Sequence, residues 1–121
     1  MPAAIGEAAR VLAPGGHLTL SIVHPFVDRG AFADDGLDAA FEITGSYLGR
    51  KHFTGTDQHG EHVMHYAGWS HPLQDYAAAL THAGLAIAEI REPRPARLGD
   101  GAFARWQRLP LFLWVKATPL G

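Results

Sequence analysis

Hydrophobic and polar positions alternate along this chain in several distinct rhythms. In residues 2–12, Ile5, Ala8, Ala9 and Leu12 recur at helical spacing while Glu7 and Arg10 face water. Pro2 suits a first helical position, so the spacing predicts a helix over 2–12. Ala13-Pro14-Gly15-Gly16 stops that helix and turns the chain. Leu18-Thr19-Leu20-Ser21-Ile22-Val23 is short, β-branched and almost continuously apolar, which predicts a strand covered on both faces.

The rhythm is then lost over residues 24–70. Asp28 to Asp38, rich in Gly, Ala and Asp, reads as a loop, and 28–40 is expected to be the most mobile stretch. Arg50 to Thr56 and Glu61 to Ala67 read as two short strands joined by a turn at Asp57-Gln58-His59-Gly60. Helical spacing returns over 72–83, with Leu73, Tyr76, Ala77 and Leu80 on one face, Pro72 at the start and Gly84 at the exit. A strand over 85–90 ends at Glu92-Pro93, a Pro/Gly/Arg loop follows over 93–101, and a last strand runs over 109–117. In that last strand Leu111, Leu113 and Val115 alternate with Phe112, Trp114 and Lys116, so both faces are largely apolar.

Composition narrows the classes. With 121 residues and 47% hydrophobic side chains, the chain has material for one domain with a modest core. Only 10 Lys and Arg, against a net charge of -2, give no basic stripe, which argues against nucleic acid as a partner. The absence of Cys removes disulfides and thiolate zinc sites. The first residues lack the basic and apolar regions of a signal peptide, and the apolar runs are too short to cross a bilayer, so a soluble cytoplasmic protein is expected.

The segments in order resemble a known family. Glu7-Ala8-Ala9-Arg10-Val11-Leu12-Ala13-Pro14-Gly15-Gly16 is similar to the run leading into the fifth strand of class I S-adenosylmethionine-dependent methyltransferases. His24-Pro25-Phe26 follows that strand, as in a subgroup acting on small molecules. His71-Pro72-Leu73-Gln74-Asp75-Tyr76, Ala83-Gly84-Leu85, Arg91-Glu92-Pro93 and Arg105-Trp106 with Leu109-Pro110-Leu111-Phe112-Leu113 resemble what comes next in the family.

The resemblance implies the C-terminal half of a methyltransferase domain. Its fold class would be α/β: part of a Rossmann-like sheet of three strands, the last antiparallel and central, with two main helices. The whole of 1–121 would be one partial domain, and 24–70 an inserted hairpin and loop cap on the substrate side. The activity implied is methyl transfer from S-adenosylmethionine to a small-molecule acceptor. The alternative is a truncated, non-catalytic module serving interaction or dimerisation. A cofactor site is not carried over. The family's first four strands have no counterpart, no G-x-G-x-x-G occurs, and Gly15-Gly16 precedes a strand instead of following one. The chain alone is therefore expected to be inactive, and its cofactor-binding residues are unknown.

Within that frame His24, at the carboxyl end of its strand, is the candidate catalytic residue, as general base or substrate orienter. Pro25, Phe26, Tyr47, Phe53, His65 and Trp69 are candidate substrate-binding residues, since aromatic walls with a few polar groups suit a small organic ligand. His59, His62 and His65 raise the question of a metal. Residues three apart on a strand point to opposite faces, and no ligand set completes a site, so no metal is expected. Gln74 and Asp75 read as first-turn stabilisation of the second helix, and Trp106 as core. In assembly, the uncovered edge of 18–23 and the apolar side of 2–12 predict either a twofold homo-oligomer burying 2–23 or a complex with the missing N-terminal half.

Overall fold

The computed structural model describes residues 1–96 and 101–120. Helix α1 spans Pro2–Arg10 and α2 spans Leu73–His82. The strands are β1 (Leu18–Val23), β2 (Gly30–Phe32), β3 (Phe41–Ile43), β4 (His52–His59), β5 (His62–Trp69), β6 (Leu85–Arg91) and β7 (Phe112–Pro119). Short 3-10 turns occupy Val27–Arg29 and Gly101–Gln107. The loop expected over 93–101 lies partly outside the described residues.

One three-stranded sheet, in the order β1-β7-β6, carries the core. The last strand is central and antiparallel to both neighbours, so β1 and β6 run parallel to each other. Both helices pack on one face of this sheet. Ile5 of α1, Ala79 and Leu80 of α2, Leu85, and Leu113, Val115 and Ala117 of β7 form one buried cluster. A Leu80→Ala change in such a cluster costs ~2–5 kcal/mol, because lost transfer energy and a residual cavity add.

The other face of the sheet corrects the expected double coverage of 18–23 and 109–117. Along β1, Leu18, Leu20 and Ile22 are half-buried while Thr19, Ser21 and Val23 are exposed. On β7 Leu113, Val115 and Ala117 are buried, whereas Phe112 and Trp114 are each 43% exposed. The two helices supply apolar cover for one face only, and Val23 and Ser21 pair with Phe112 and Trp114 on the uncovered one.

Element limits shift modestly. The first helix ends at Arg10, two residues short of expectation, where Val11 leaves helical geometry (φ -93, ψ 2). Pro72 caps α2 from an extended conformation and is not its first helical residue. Gly84 exits with φ 81, a left-handed backbone that glycine adopts without the Cβ penalty.

The middle of the chain is more regular than its composition suggests. The expected loop over 28–38 contains a 3-10 turn and the first strand of a β2–β3 hairpin. Long-range contacts within the chain organise it. Phe32 packs edge-on against Phe41 (5.2 Å) and Trp106 (5.0 Å). The Arg105 guanidinium sits 4.2 Å over the Phe32 ring, and Arg108 donates to the Leu37 and Ala39 carbonyls at 2.7 and 3.1 Å. Short-range turn composition cannot reveal an anchor seventy residues away.

The second hairpin, β4–β5, is longer than expected, and its turn is tighter. His59 pairs with His62, leaving the two-residue loop Gly60-Glu61. Gly60 has φ 62 while no described non-glycine residue has positive φ, the pattern of a type II′ turn. The Phe53 ring lies over Gly68, and the Tyr66 ring lies over Gly55, so aromatic side chains cover the glycine backbone of the opposite strand.

Candidate functional site

Because β1 and β6 are parallel, their carboxyl ends lie at the same sheet edge. In open α/β sheets that edge is where ligands bind. Each strand is followed there by a titratable residue and a proline: His24-Pro25 after β1 and Glu92-Pro93 after β6. The structure joins the two. Nε2 of His24 lies 2.9 Å from Oε2 of Glu92. The imidazole is buried (1% exposed), while the carboxylate is half-exposed (51%).

The remaining contacts of His24 fix its chemistry. Its backbone N–H donates to the Leu111 carbonyl at 2.9 Å, tying the loop to the start of β7. Nδ1 accepts a hydrogen bond from the Phe26 amide at 3.2 Å. An acceptor at Nδ1 assigns the proton to Nε2, which donates to Glu92. Both ring nitrogens are thereby engaged. The arrangement holds the imidazole in one orientation at the sheet edge.

Around this pair the turn gathers an aromatic and acidic set. The Phe26 ring sits 4.7 Å from His24 and 5.3 Å from Tyr47. The Tyr47 hydroxyl accepts from the Leu73 amide at 2.9 Å, satisfying a free N–H in the first turn of α2 that the Pro72 cap cannot. Asp28, on the turn after Phe26, has its carboxyl raised above the usual range by burial, with His71 and His24 acting in the opposite sense. Burial likewise raises the Tyr76 phenol, reinforced by the carboxylates of Asp28 and Asp75. His71 packs edge-on to Tyr76 at 5.8 Å.

Asp75 is the electrostatic anchor of this flank. Its Oδ2 receives Arg50 Nε at 2.9 Å and lies 3.4 Å from His71 Nδ1. The Arg50 hydrogen bond is the main reason its carboxyl is held below the usual range. The Asp75 role in the first turn of α2 is thus joined to a tether for the segment leading into β4. A cavity of about 390 Å³ beside it is lined by Met1, Pro2, Arg50, His71, Asp75 and residues of α2.

The structure brings His24, Pro25, Phe26 and Tyr47 together. It places Phe53, His65 and Trp69 on the β4–β5 hairpin, each with its close neighbours in that same hairpin. Phe53 covers Gly68, His65 Nδ1 lies 3.2 Å from Thr56 Oγ1, and Trp69 stacks edge-on with His52 at 4.9 Å. His59 and His62 face each other across the turn, contrary to the expected divergence, because the turn falls between them; His65 lies at the opposite parity. Glu92, Asp28 and His71 escaped sequence reasoning as site members. Only the repetition of a titratable residue before proline at the ends of two strands signalled Glu92.

S-adenosylmethionine, the cofactor that the sequence resemblance implies, makes a demand on the backbone. A nucleotide-like cofactor needs glycine where backbone approaches it after a strand. Gly15 and Gly16 lie before β1, at the sheet edge opposite His24. Gly30, Gly55 and Gly68 face aromatic rings of this chain, which occupy the space a Cβ would enter. The parallel strands β1 and β6 are followed by His24-Pro25 and Glu92-Pro93 and not by a glycine-rich turn, so the described residues do not fit the cofactor. Among them, no helix is long and apolar enough to cross a membrane.

No protein-family model and no curated protein matches the chain. Solved structures do. An S-adenosylmethionine-dependent methyltransferase from Mesorhizobium loti, 23% identical, superposes with a TM-score of 0.64 over 96% of this chain and 53% of its own. A protein proposed to be an S-adenosylmethionine-dependent methyltransferase, from Listeria monocytogenes, is 16% identical and superposes with a TM-score of 0.73 over 100% of this chain and 55% of its own. The resemblance read from the sequence holds at the level of fold, and the chain spans about half the length of these structures, as a C-terminal half would.

Proposed function

We propose that this chain is the acceptor-side half of an S-adenosylmethionine-dependent methyltransferase acting on a small molecule. The observation that carries the reading is the His24–Glu92 pair, with Phe26 and Tyr47 beside it, at the carboxyl edge shared by β1 and β6. The sheet is read as the C-terminal part of a Rossmann-like methyltransferase sheet, with the cofactor held by polypeptide other than these residues. Methyl transfer is a displacement that depends mainly on positioning the acceptor and excluding water. A buried imidazole with both ring nitrogens engaged suits such positioning. His24 is accordingly a positioning residue, with Phe26 and Tyr47 as pocket walls. The hairpin residues Phe53, His65 and Trp69 would join that pocket only when the hairpin meets a bound acceptor or a second polypeptide.

The outer edge of β1, unpaired among the described residues, and the exposed apolar face around Phe112 and Trp114 favour a partner, either a second copy or the cofactor-binding half. A non-catalytic interaction module is the competing reading. Translation of the reading frame upstream of Met1 separates the two, followed by transfer of labelled methyl from S-adenosylmethionine by the complete polypeptide. A glycine-rich motif in frame and label in a small acceptor support the enzyme. A ribosome-binding site directly before Met1 and no transfer support the module.

A further inference from the structure

The cavity on the other side of Asp28 carries an unexplained charge. It measures about 380 Å³ and lies between the Val27–Arg29 turn and the β2–β3 hairpin. Arg29 and Lys51 line it, together with Asp28, Glu42, Thr44 and Phe32. The Arg29 Nε is buried and has no hydrogen-bond partner. A buried guanidinium nitrogen left unpaired is costly, and in native proteins such a group calls for a specific reason. Among the described residues, neither Arg29 nor Lys51 forms an ion pair with Asp28, Glu42 or any other carboxylate.

The surrounding backbone is shaped to hold that guanidinium. Gly45 has φ 70, a conformation that favours glycine, and a Cβ there would stand 3.1 Å from Arg29 Nη2. The Thr44 amide donates to the Arg29 carbonyl at 3.2 Å, closing the 44–45 segment onto the turn. Phe32, held by Phe41, Trp106 and Arg105, gives the cavity an aromatic wall. The opposing carboxylates differ in weight. Glu42 is exposed to water, and burial shifts Asp28 toward its neutral form.

We infer that this cavity binds the anionic group, carboxylate or phosphate, of the acceptor, with Arg29 as the principal cation and Lys51 as the second. The inference rests on the acceptor-side reading and assigns that acceptor to the class of small oxyanions bearing an apolar body. A guanidinium offers paired donors matched to such groups, and the Phe32 wall suits the apolar part.

Amide chemical shifts of the 121-residue chain, followed by NMR during titration with sodium benzoate and separately with inorganic phosphate, test it. Sodium chloride at equal ionic strength is the control. Saturable shifts confined to 28–33, 42–44 and 51 are expected with at least one probe, benzoate pointing to a carboxylate and phosphate to a phosphoryl group. Arg29→Gln should weaken binding roughly tenfold or more. Lys51→Glu, at an exposed position that leaves folding intact, should weaken it several-fold. Linear or scattered shifts, equal shifts with chloride, or unchanged binding in Lys51→Glu would overturn the proposal. The binding readout needs no methyl transfer. Anion binding with no transfer by the complete polypeptide would remove only the enzymatic reading, and transfer without anion binding would remove only this one.

Discussion

His24 and Glu92, sixty-eight residues apart, meet through Nε2 and Oε2 at 2.9 Å, and each stands one position beyond the end of a strand. Glu92→Ala leaves the Nε2–H of a buried ring without its protein acceptor. Because Glu92 is half-exposed, water reaches part of that gap, so the expected loss is about 1 kcal/mol, the low end for an unpaired donor. Glu92→Gln keeps an acceptor oxygen and should stay near the parent. Thermal unfolding of both variants checks this, and an equal loss in both would show that the carboxylate charge, not the hydrogen bond, matters.

Two carboxyls should set opposite pH trends. Asp28 is raised by burial, so the folded chain binds its proton more tightly than the unfolded chain does. Its ionisation weakens the fold at neutral pH, and that penalty is relieved as pH falls through the raised value. Asp28→Asn should therefore unfold at higher temperature than the parent near pH 7, the gap closing on acidification. Asp75 is lowered, chiefly by Arg50, so its contribution is full above the ordinary carboxylate range and is lost as pH falls through its lowered value. Arg50→Gln should cost at most about 1 kcal/mol at neutral pH, since the guanidinium is exposed, and nothing once Asp75 is protonated. Unfolding curves at several pH values measure both trends.

The repeating elements of this fold were legible because each declares itself locally. Ile5 and Leu80 sit at helical spacing, Leu113 and Val115 alternate in a strand, and Gly84 occupies a left-handed turn. The half-covered sheet was not legible, since Phe112 and Trp114 have the same apolarity whether or not a layer lies over them. Nor was the order of 30–43, whose supports Trp106, Arg105 and Arg108 come from the far end of the chain. In the candidate site the sequence pointed to His24 and Phe26, but the partners Glu92, Asp28 and His71 depend on strand order and turn geometry that no local pattern encodes.

These supports also relocate the least protected region. The β2–β3 hairpin is pinned by aromatic and arginine contacts, whereas β4–β5 is exposed along nearly its whole length and, among the described residues, forms a sheet of its own two strands. An isolated two-stranded hairpin is marginal in water. Hydrogen exchange should therefore be faster over 52–69 than over 30–32 and 41–43, reversing the expectation from composition. Gly55→Ala, which forces the Tyr66 ring away, should accelerate exchange within 52–69 and leave 18–23 unchanged.

The uncovered edge and face lead to a prediction of association. Light scattering on the purified chain should give a mass above that of one copy, and a stable, monodisperse monomer would contradict this. Leu20 is a poor probe of the seam because it packs against the core beneath the helices. Trp114, 43% exposed on the uncovered face, is better placed. Trp114→Lys should shift the population toward monomer without altering secondary structure.

The division of labour between an acceptor half and a cofactor half is tested most directly by titration calorimetry of the 121-residue chain with S-adenosylmethionine. No glycine-rich turn follows β1 or β6, and Gly15 and Gly16 lie before β1, so no saturable heat is expected even at millimolar cofactor. Saturable binding with a low-micromolar dissociation constant would contradict the division and place the cofactor site within these residues.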